Sequence, residues 1–238
     1  MLWFWKKIMK IQSRFEDLFI IPIGIYKYPH HKELKGTIYN IIEKYTNTEY
    51  EMDRDKGGIR HFFNHYNQDL FRSVKGDIRD CLDSFEYFLK YSINHYYQNV
   101  FGVNHDGDML ITNSWLNITR RGNWLEPHFH GNSIISANYF ASAEDGFTPL
   151  QFCNPFHQPH GACPSFSIEP DIDTPYSVRT VPVNTKEGEL VVWNSGLFHG
   201  FGAVDNDKER ITIAMNCSPD SIKTGPYKIT IGACDESN

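Results

Sequence analysis

The sequence predicts an α+β fold in which N-terminal helices cover one outer face of a sheet in a sandwich, jelly roll or barrel. Two observations carry this: apolar residues at helical spacing before residue 102, and a run of short β-type segments with turn signals after it. "GVNHDGD", rich in Gly, Asn and Asp, marks the change between them.

Taken in order, "MLWFWKKIMKI" places apolar residues before its lysines and lacks an Ala-x-Ala cleavage pattern. It is read as a short edge element packed by its tryptophans, with an interfacial anchor as the alternative and no signal peptide or membrane span. A short helix is expected around Leu34, Ile38, Ile41 and Tyr45. A long one follows, because Ile78, Leu82, Phe85, Leu89, Ile93, Tyr96 and Val100 are spaced 4, 3, 4, 4, 3, 4 and form one stripe. Strands are expected near 109–119, 124–130, 133–141, 149–153, 177–183, 188–194, 197–203 and 209–217. The segment 154–176 has five prolines and no period, and a loop this long in a compact domain reads as a lid over a site. The expected organisation is a mainly helical part, 1–102, packed on a core, 103–238, in one structural domain.

Composition bounds the function. The chain has 238 residues, 40% apolar and 22% charged, enough for a sizeable core. A net charge of -6 and the lack of a basic stripe argue against nucleic acid as the main partner. Five widely spaced cysteines, Cys81, Cys153, Cys163, Cys217 and Cys234, in a chain too long to need a disulfide framework point to a reducing cytoplasm. No G-x-S-x-G elbow, P-loop or dinucleotide fingerprint occurs.

Chemistry concentrates in two histidine segments. In "NWLEPHFHGNS", His128 and His130 are two residues apart, so an extended strand would point both imidazoles the same way. Alone, such a pair is most simply a solvated one. Gly122 precedes His128 by five intervening residues, and Gly188 stands in the same relation to "NSGLFH", which ends at His199. This spacing resembles the two motifs of the cupin superfamily, with Asn194 where a proline is usual. The resemblance implies a double-stranded β-helix, or jelly roll. The typical cupin glutamate, due near Ile134 or Ile135, is missing. His128, His130 and His199 remain as candidate metal ligands, and imidazole suits Fe, Zn, Cu and Ni alike. The other histidines, His61, His65, His95 and His105, read as surface or satisfied core residues.

Eleven residues beyond His199, Arg210 begins a strand on which Arg210, Thr212, Ala214 and Asn216 share one face. A buried arginine needs an anionic partner, either an internal Asp or Glu or a carboxylate ligand gripped by the guanidinium fork.

The blocks "ITNSWLNITRRGNWLEPHFHGNSIISANYF", "GELVVWNSGLFHGF" and "ERITIAMN" resemble 2-oxoglutarate- and Fe(II)-dependent dioxygenases, especially a bacterial and phage subfamily, over roughly 109–217 and in the same order. The resemblance implies Fe(II), 2-oxoglutarate and O₂ as cofactor and cosubstrates, and hydroxylation of a substrate with conversion of 2-oxoglutarate to succinate. It implies His128 and His199 as iron ligands, and Arg210 with Thr212 as the grip on the distal carboxylate of 2-oxoglutarate. Asn117 falls where a related branch has a cosubstrate-binding Asn, with Asn138 and Tyr139 as further candidates; Trp193 is read as core.

The sequence departs from the family at His130, where most members have Asp or Glu. Either the centre has three histidines, or the position is vacant as in halogenating relatives, or the register shifts to His130 and Asn132. Two other readings stand beside this one: a three-His cupin-type dioxygenase indifferent to Arg210, and a non-catalytic jelly-roll binding or phage structural module. The substrate classes left open are peptide, amino acid, nucleotide and small metabolite. Cys153, His157, His160 and Cys163 could hold zinc, but C-x3-H-x2-H-x2-C is no common zinc pattern and Pro155 and Pro159 stiffen the loop.

Overall fold

The computed structural model describes residues 20–52, 57–64, 68–155, 171, 174 and 177–232. The aromatic N-terminus, His65, most of the expected lid and three of the four Cys/His cluster residues lie outside them. The element order begins β1 (Gly24–Lys27), α1 (His31–Tyr45), β2 (Glu51–Met52), β3 (Arg60–Phe62), α2 (Leu70–Ser73) and α3 (Arg79–Phe101). The strands of the second part are β4 (Met109–Thr119), β5 (Leu125–His128), β6 (Ile135–Ala143), β7 (Leu150–Cys153), β8 (Thr180–Val183), β9 (Glu189–Asn194), β10 (His199–Phe201) and β11 (Arg210–Pro219). A hairpin, β12 (Ser221–Thr224) and β13 (Tyr227–Thr230), follows.

The helices form for the reasons the sequence offers. α1 buries Leu34, Ile38, Ile41 and Tyr45. α3 buries Leu82, Phe85, Leu89, Ile93 and Tyr96, and ends where Gly102 takes the left-handed conformation, φ 65°. Asp69 starts α2, its carboxylate accepting from the backbone N–H groups of Phe71 and Arg72 while Ser114 of β4 donates to its other oxygen.

All eight expected strands are present, in two sheets. The larger has the order β1-β9-β6-β11-β4-β3-β2 and the smaller β5-β10-β7-β8, with every pairing antiparallel. The helices lie on one face of the larger sheet, where Leu34, Phe62, Phe85, Leu89, Leu116, Tyr139, Ile213 and Met215 form one core. Each fully buried large apolar side chain there contributes roughly 1.5–3 kcal/mol of transfer free energy. Phe140, Leu150, Phe152, Val191, Trp193 and Leu197 fill the space between the two sheets. This is a jelly roll with helices on one sheet.

Two of the smaller sheet's strands meet closely. β10 pairs with β5 through His199 opposite His128 and Phe201 opposite Leu125, so Glu126 and Pro127 bulge against the single residue Gly200. A Cβ on Gly200 would lie 2.5 Å from the Leu125 carbonyl oxygen, and only glycine allows this approach. Pro127 has no N–H to place in a ladder and is tolerated at the bulge. The described helices include none long and apolar enough to cross a membrane.

Candidate active site

β5 ends at His128, so His130 lies in the connection beyond it and not on the same strand as expected. Its backbone N–H donates to the Ser195 carbonyl at 3.0 Å, which ties the connection to the end of β9. His199 comes from β10, in register with His128. The three rings converge: centroids are 4.5 Å apart for His128–His199 and 5.1 Å for each of the other two pairs. One nitrogen from each ring lies within 4.8 Å of the others, and this is the group among the described residues arranged to hold a metal ion.

Each ring is held by the protein through another contact. His128 Nδ1–H donates to the Glu126 carbonyl at 2.9 Å, and His199 Nδ1–H to the Leu197 carbonyl at 3.0 Å. That fixes the tautomer in which Nε2 carries a lone pair. His130 hydrogen-bonds the Asn216 side chain, a contact that favours the protonated ring as an acceptor would. Ser136 backs Asn216 at 3.4 Å, and Ser195 bridges Ser136 and Ser133 at 2.8 Å each. Trp115 stacks on His130 at 6.1 Å, and Trp193 meets His199 edge-on at 4.8 Å.

Burial, reinforced by the His128 charge and opposed by Asn216, pushes the pKa of His130 down to about 4. Burial likewise takes His199 down to about 3, against the pull of the Leu197 carbonyl and helped by the two neighbouring imidazoles. Both rings are therefore neutral at neutral pH, the state a metal needs. Three imidazole nitrogens with oriented outer partners fit a first-row divalent metal. If His130 is a ligand, Asn216→Leu is expected to weaken metal affinity about 10- to 100-fold through loss of that orientation. Calorimetric titration with Mn(II) reads it; unchanged affinity would place His130 outside the ligand set.

The rings open into a cavity of about 350 Å³. Its far wall is the larger sheet, where β11 runs beside β4 with Arg210 opposite Thr119 and Thr212 opposite Asn117. Arg210, Thr212, Asn117 and Asn138 all line the cavity. Arg210 is 4% exposed; one Nη donates to the Thr148 carbonyl at 2.6 Å, while Nε has no partner. Its guanidinium lies 4.3 Å from the Phe201 ring centroid, with Phe140 and Phe147 near 6 Å. Burial lowers its pKa to about 10. Among the described residues no carboxylate pairs with Arg210 and no Asp or Glu lines the cavity, so the internal-partner reading has no support. Asn138 presents a buried Oδ1 without a partner.

Tyr139 corrects an expectation. It follows Asn138 on β6, so alternation sends it to the helix side, where its hydroxyl is 2.7 Å from His31 Nδ1 and its ring packs on Phe85. Burial pushes its hydroxyl pKa well above the usual range. It cannot reach the cavity. Trp193 both packs the core, as expected, and lines the cavity. Sequence reasoning missed Met52, Ile59, His61 and Asn64, which bring the N-terminal part to the cavity wall. His61 sits in a three-residue strand, too short to show a period.

Residues 113–216 match the profile of the family described as "Putative 2OG-Fe(II) oxygenase". Over that stretch, less than half of the chain, the sequence is similar to the 2OG-Fe(II) oxygenases. The chain matches no curated protein. Among solved structures it is similar to HygX from Streptomyces hygroscopicus, determined with nickel, 2-oxoglutarate and hygromycin B bound (TM-score 0.53, 12% identity, 84% of this chain and 83% of that one). It is also similar to AviO1 from Streptomyces viridochromogenes Tue57 (0.54, 17%, 83% and 89%). A third is SnoN, a non-heme alpha ketoglutarate dependent epimerase from nogalamycin biosynthesis (0.56, 10%, 84% and 79%). At these identities the likeness is one of fold.

Proposed function

We propose that this chain is a 2-oxoglutarate- and Fe(II)-dependent oxygenase that hydroxylates its substrate, with His128, His130 and His199 holding Fe(II) and with Arg210, Thr212, Asn117 and Asn138 holding 2-oxoglutarate. When bound, the metal supplies O₂ activation, coupled to decarboxylation of 2-oxoglutarate to succinate and CO₂ with one oxygen atom delivered to the substrate.

The observation that carries the reading is Arg210. A guanidinium this buried, with an unpartnered Nε and no carboxylate beside it, is expensive unless a ligand supplies the anion. It shares a cavity with the three imidazoles, so one dianion can meet the arginine at one end and the metal at the other. Thr212 and Asn117 add donors beside it, and Phe201, Phe140 and Phe147 keep water from the guanidinium. An all-imidazole donor set leaves the metal's positive charge uncompensated, which favours an anionic cosubstrate further. The core shared by the helices and the larger sheet supports treating the helical and the strand-rich parts as one structural domain.

The test is spectroscopic. Anaerobic addition of Fe(II) and 2-oxoglutarate is expected to give a weak visible charge-transfer band, lost in His199→Ala and in Arg210→Ala. No band in the unsubstituted protein, together with no thermal protection by 2-oxoglutarate, would overturn the proposal.

A further inference from the structure

His61 lies outside the matched stretch 113–216 and outside the three-His group, yet it lines the same cavity. It is 8% exposed, and its Nδ1 is 2.6 Å from Asn117 Oδ1. Since an amide oxygen only accepts, Nδ1–H is the donor. With Oδ1 taken by the histidine, Asn117 keeps both Nδ2 hydrogens for another partner.

The register explains why this contact is fixed. β3 pairs with β4 through Arg60 opposite Ile118, His61 opposite Asn117 and Phe62 opposite Leu116. Alternation sends Phe62 into the core beneath the helices, where it is fully buried, and His61 to the cavity side. A slip of one residue would expose Phe62 and turn His61 away, so the core enforces the polar pair. The strand is also tied at its other end: Arg60 Nε–H donates to Glu51 at 2.5 Å and an Nη to Thr46 at 2.9 Å, and the Phe63 N–H donates to the Tyr50 carbonyl. Continuing across the sheet, Asn117 faces Thr212 on β11. One transverse row therefore reads His61, Asn117, Thr212, one step from the row that holds Thr119 and Arg210.

We infer that His61 is a positioning residue: it locks the Asn117 amide with its N–H donors toward the carboxylate gripped by Arg210 and Thr212. This rests on the 2-oxoglutarate reading above. Without the lock, the Asn117 amide can turn its oxygen to the cosubstrate, replacing attraction by repulsion between two acceptors. The N-terminal part of the chain would then set cosubstrate affinity through His61, which acts on the cosubstrate by way of Asn117.

The experiment is calorimetric titration of 2-oxoglutarate into the Mn(II)-loaded full chain. His61→Leu is expected to raise the Kd about tenfold, the effect of losing one useful hydrogen bond to a charged group, with Mn(II) affinity unchanged. His61→Asn, which can place an N–H where Nδ1 stood, is expected to restore most of the affinity. His61→Gln, which extends its amide past that point, is expected not to, and it serves if the leucine variant fails to fold. The decisive comparison is His61→Leu/Asn117→Ala, which should bind no more weakly than Asn117→Ala alone, because the amide through which His61 acts on the cosubstrate is gone. Unchanged affinity in His61→Leu and His61→Gln, or losses that add in the double variant, would overturn the inference and leave the cosubstrate reading intact. No binding by the unsubstituted protein overturns both.

Discussion

Replacing Arg210 by methionine is expected to abolish measurable 2-oxoglutarate binding while leaving the ligand-free protein as stable as before, or more so. The two signs differ because the guanidinium plays opposite parts in the two states. Ligand-free, it is a buried cation held by one carbonyl and three aromatic rings, and exchanging a buried charge for an apolar side chain of similar volume is often neutral or stabilising by about 1–4 kcal/mol. With cosubstrate present, its removal leaves a buried carboxylate without its charge partner, which costs about 2–5 kcal/mol, or roughly 30- to several-thousand-fold in Kd. Thermal melts with and without 2-oxoglutarate separate the two effects: the ligand-free melting temperature should hold or rise, and the ligand-dependent rise should vanish. A variant that melts far lower but keeps its protection by 2-oxoglutarate would show that Arg210 is structural.

His199→Ala is expected to leave the chain unable to retain metal and to reduce turnover at least about a thousandfold. His199 is the most buried of the three imidazoles and sits among His128, Trp193 and Phe152. Removing one of three donors costs affinity outright and also leaves a void beside Trp193, estimated at about 1–3 kcal/mol of stability. Elemental analysis after dialysis, with turnover measured as succinate formed, tests this. Metal retained at the level of the unsubstituted protein would remove His199 from the ligand set.

Much of this was legible because period and spacing survive folding. The stripe from Leu82 to Tyr96 on α3 and all eight strands from β4 to β11 follow patterns strong enough to read without a partner. β1, β2, β3 and the β12–β13 hairpin were not legible, since strands of two to four residues carry too few alternations to count. The cluster of His128, His130 and His199 was readable from its spacing, but not how it is made: the strand stops at His128, and His130 is aimed by Ser195, Asn216 and Trp115, which only the fold brings there. Tyr139 was misplaced for the opposite reason. Asn138 and Tyr139 are neighbours on one strand and cannot both face the cavity, so alternation alone could have chosen between them. The pairing of His61 with Asn117 joins residues 56 apart across a three-residue strand, and nothing local announces it.

The division of labour between the two sheets has one more consequence. All three imidazoles belong to the smaller sheet or its connections, whereas Arg210, Thr212 and Asn117 stand on the long central strands of the larger one. On the proposed reading a cosubstrate bound between them is anchored at two points, and each end raises the effective concentration of the other at its site. Metal and arginine then behave as two halves of one avid clamp. Losing either should cost more than its own contacts are worth, and the bound molecule becomes the tie that holds the two layers of the sandwich at a fixed separation.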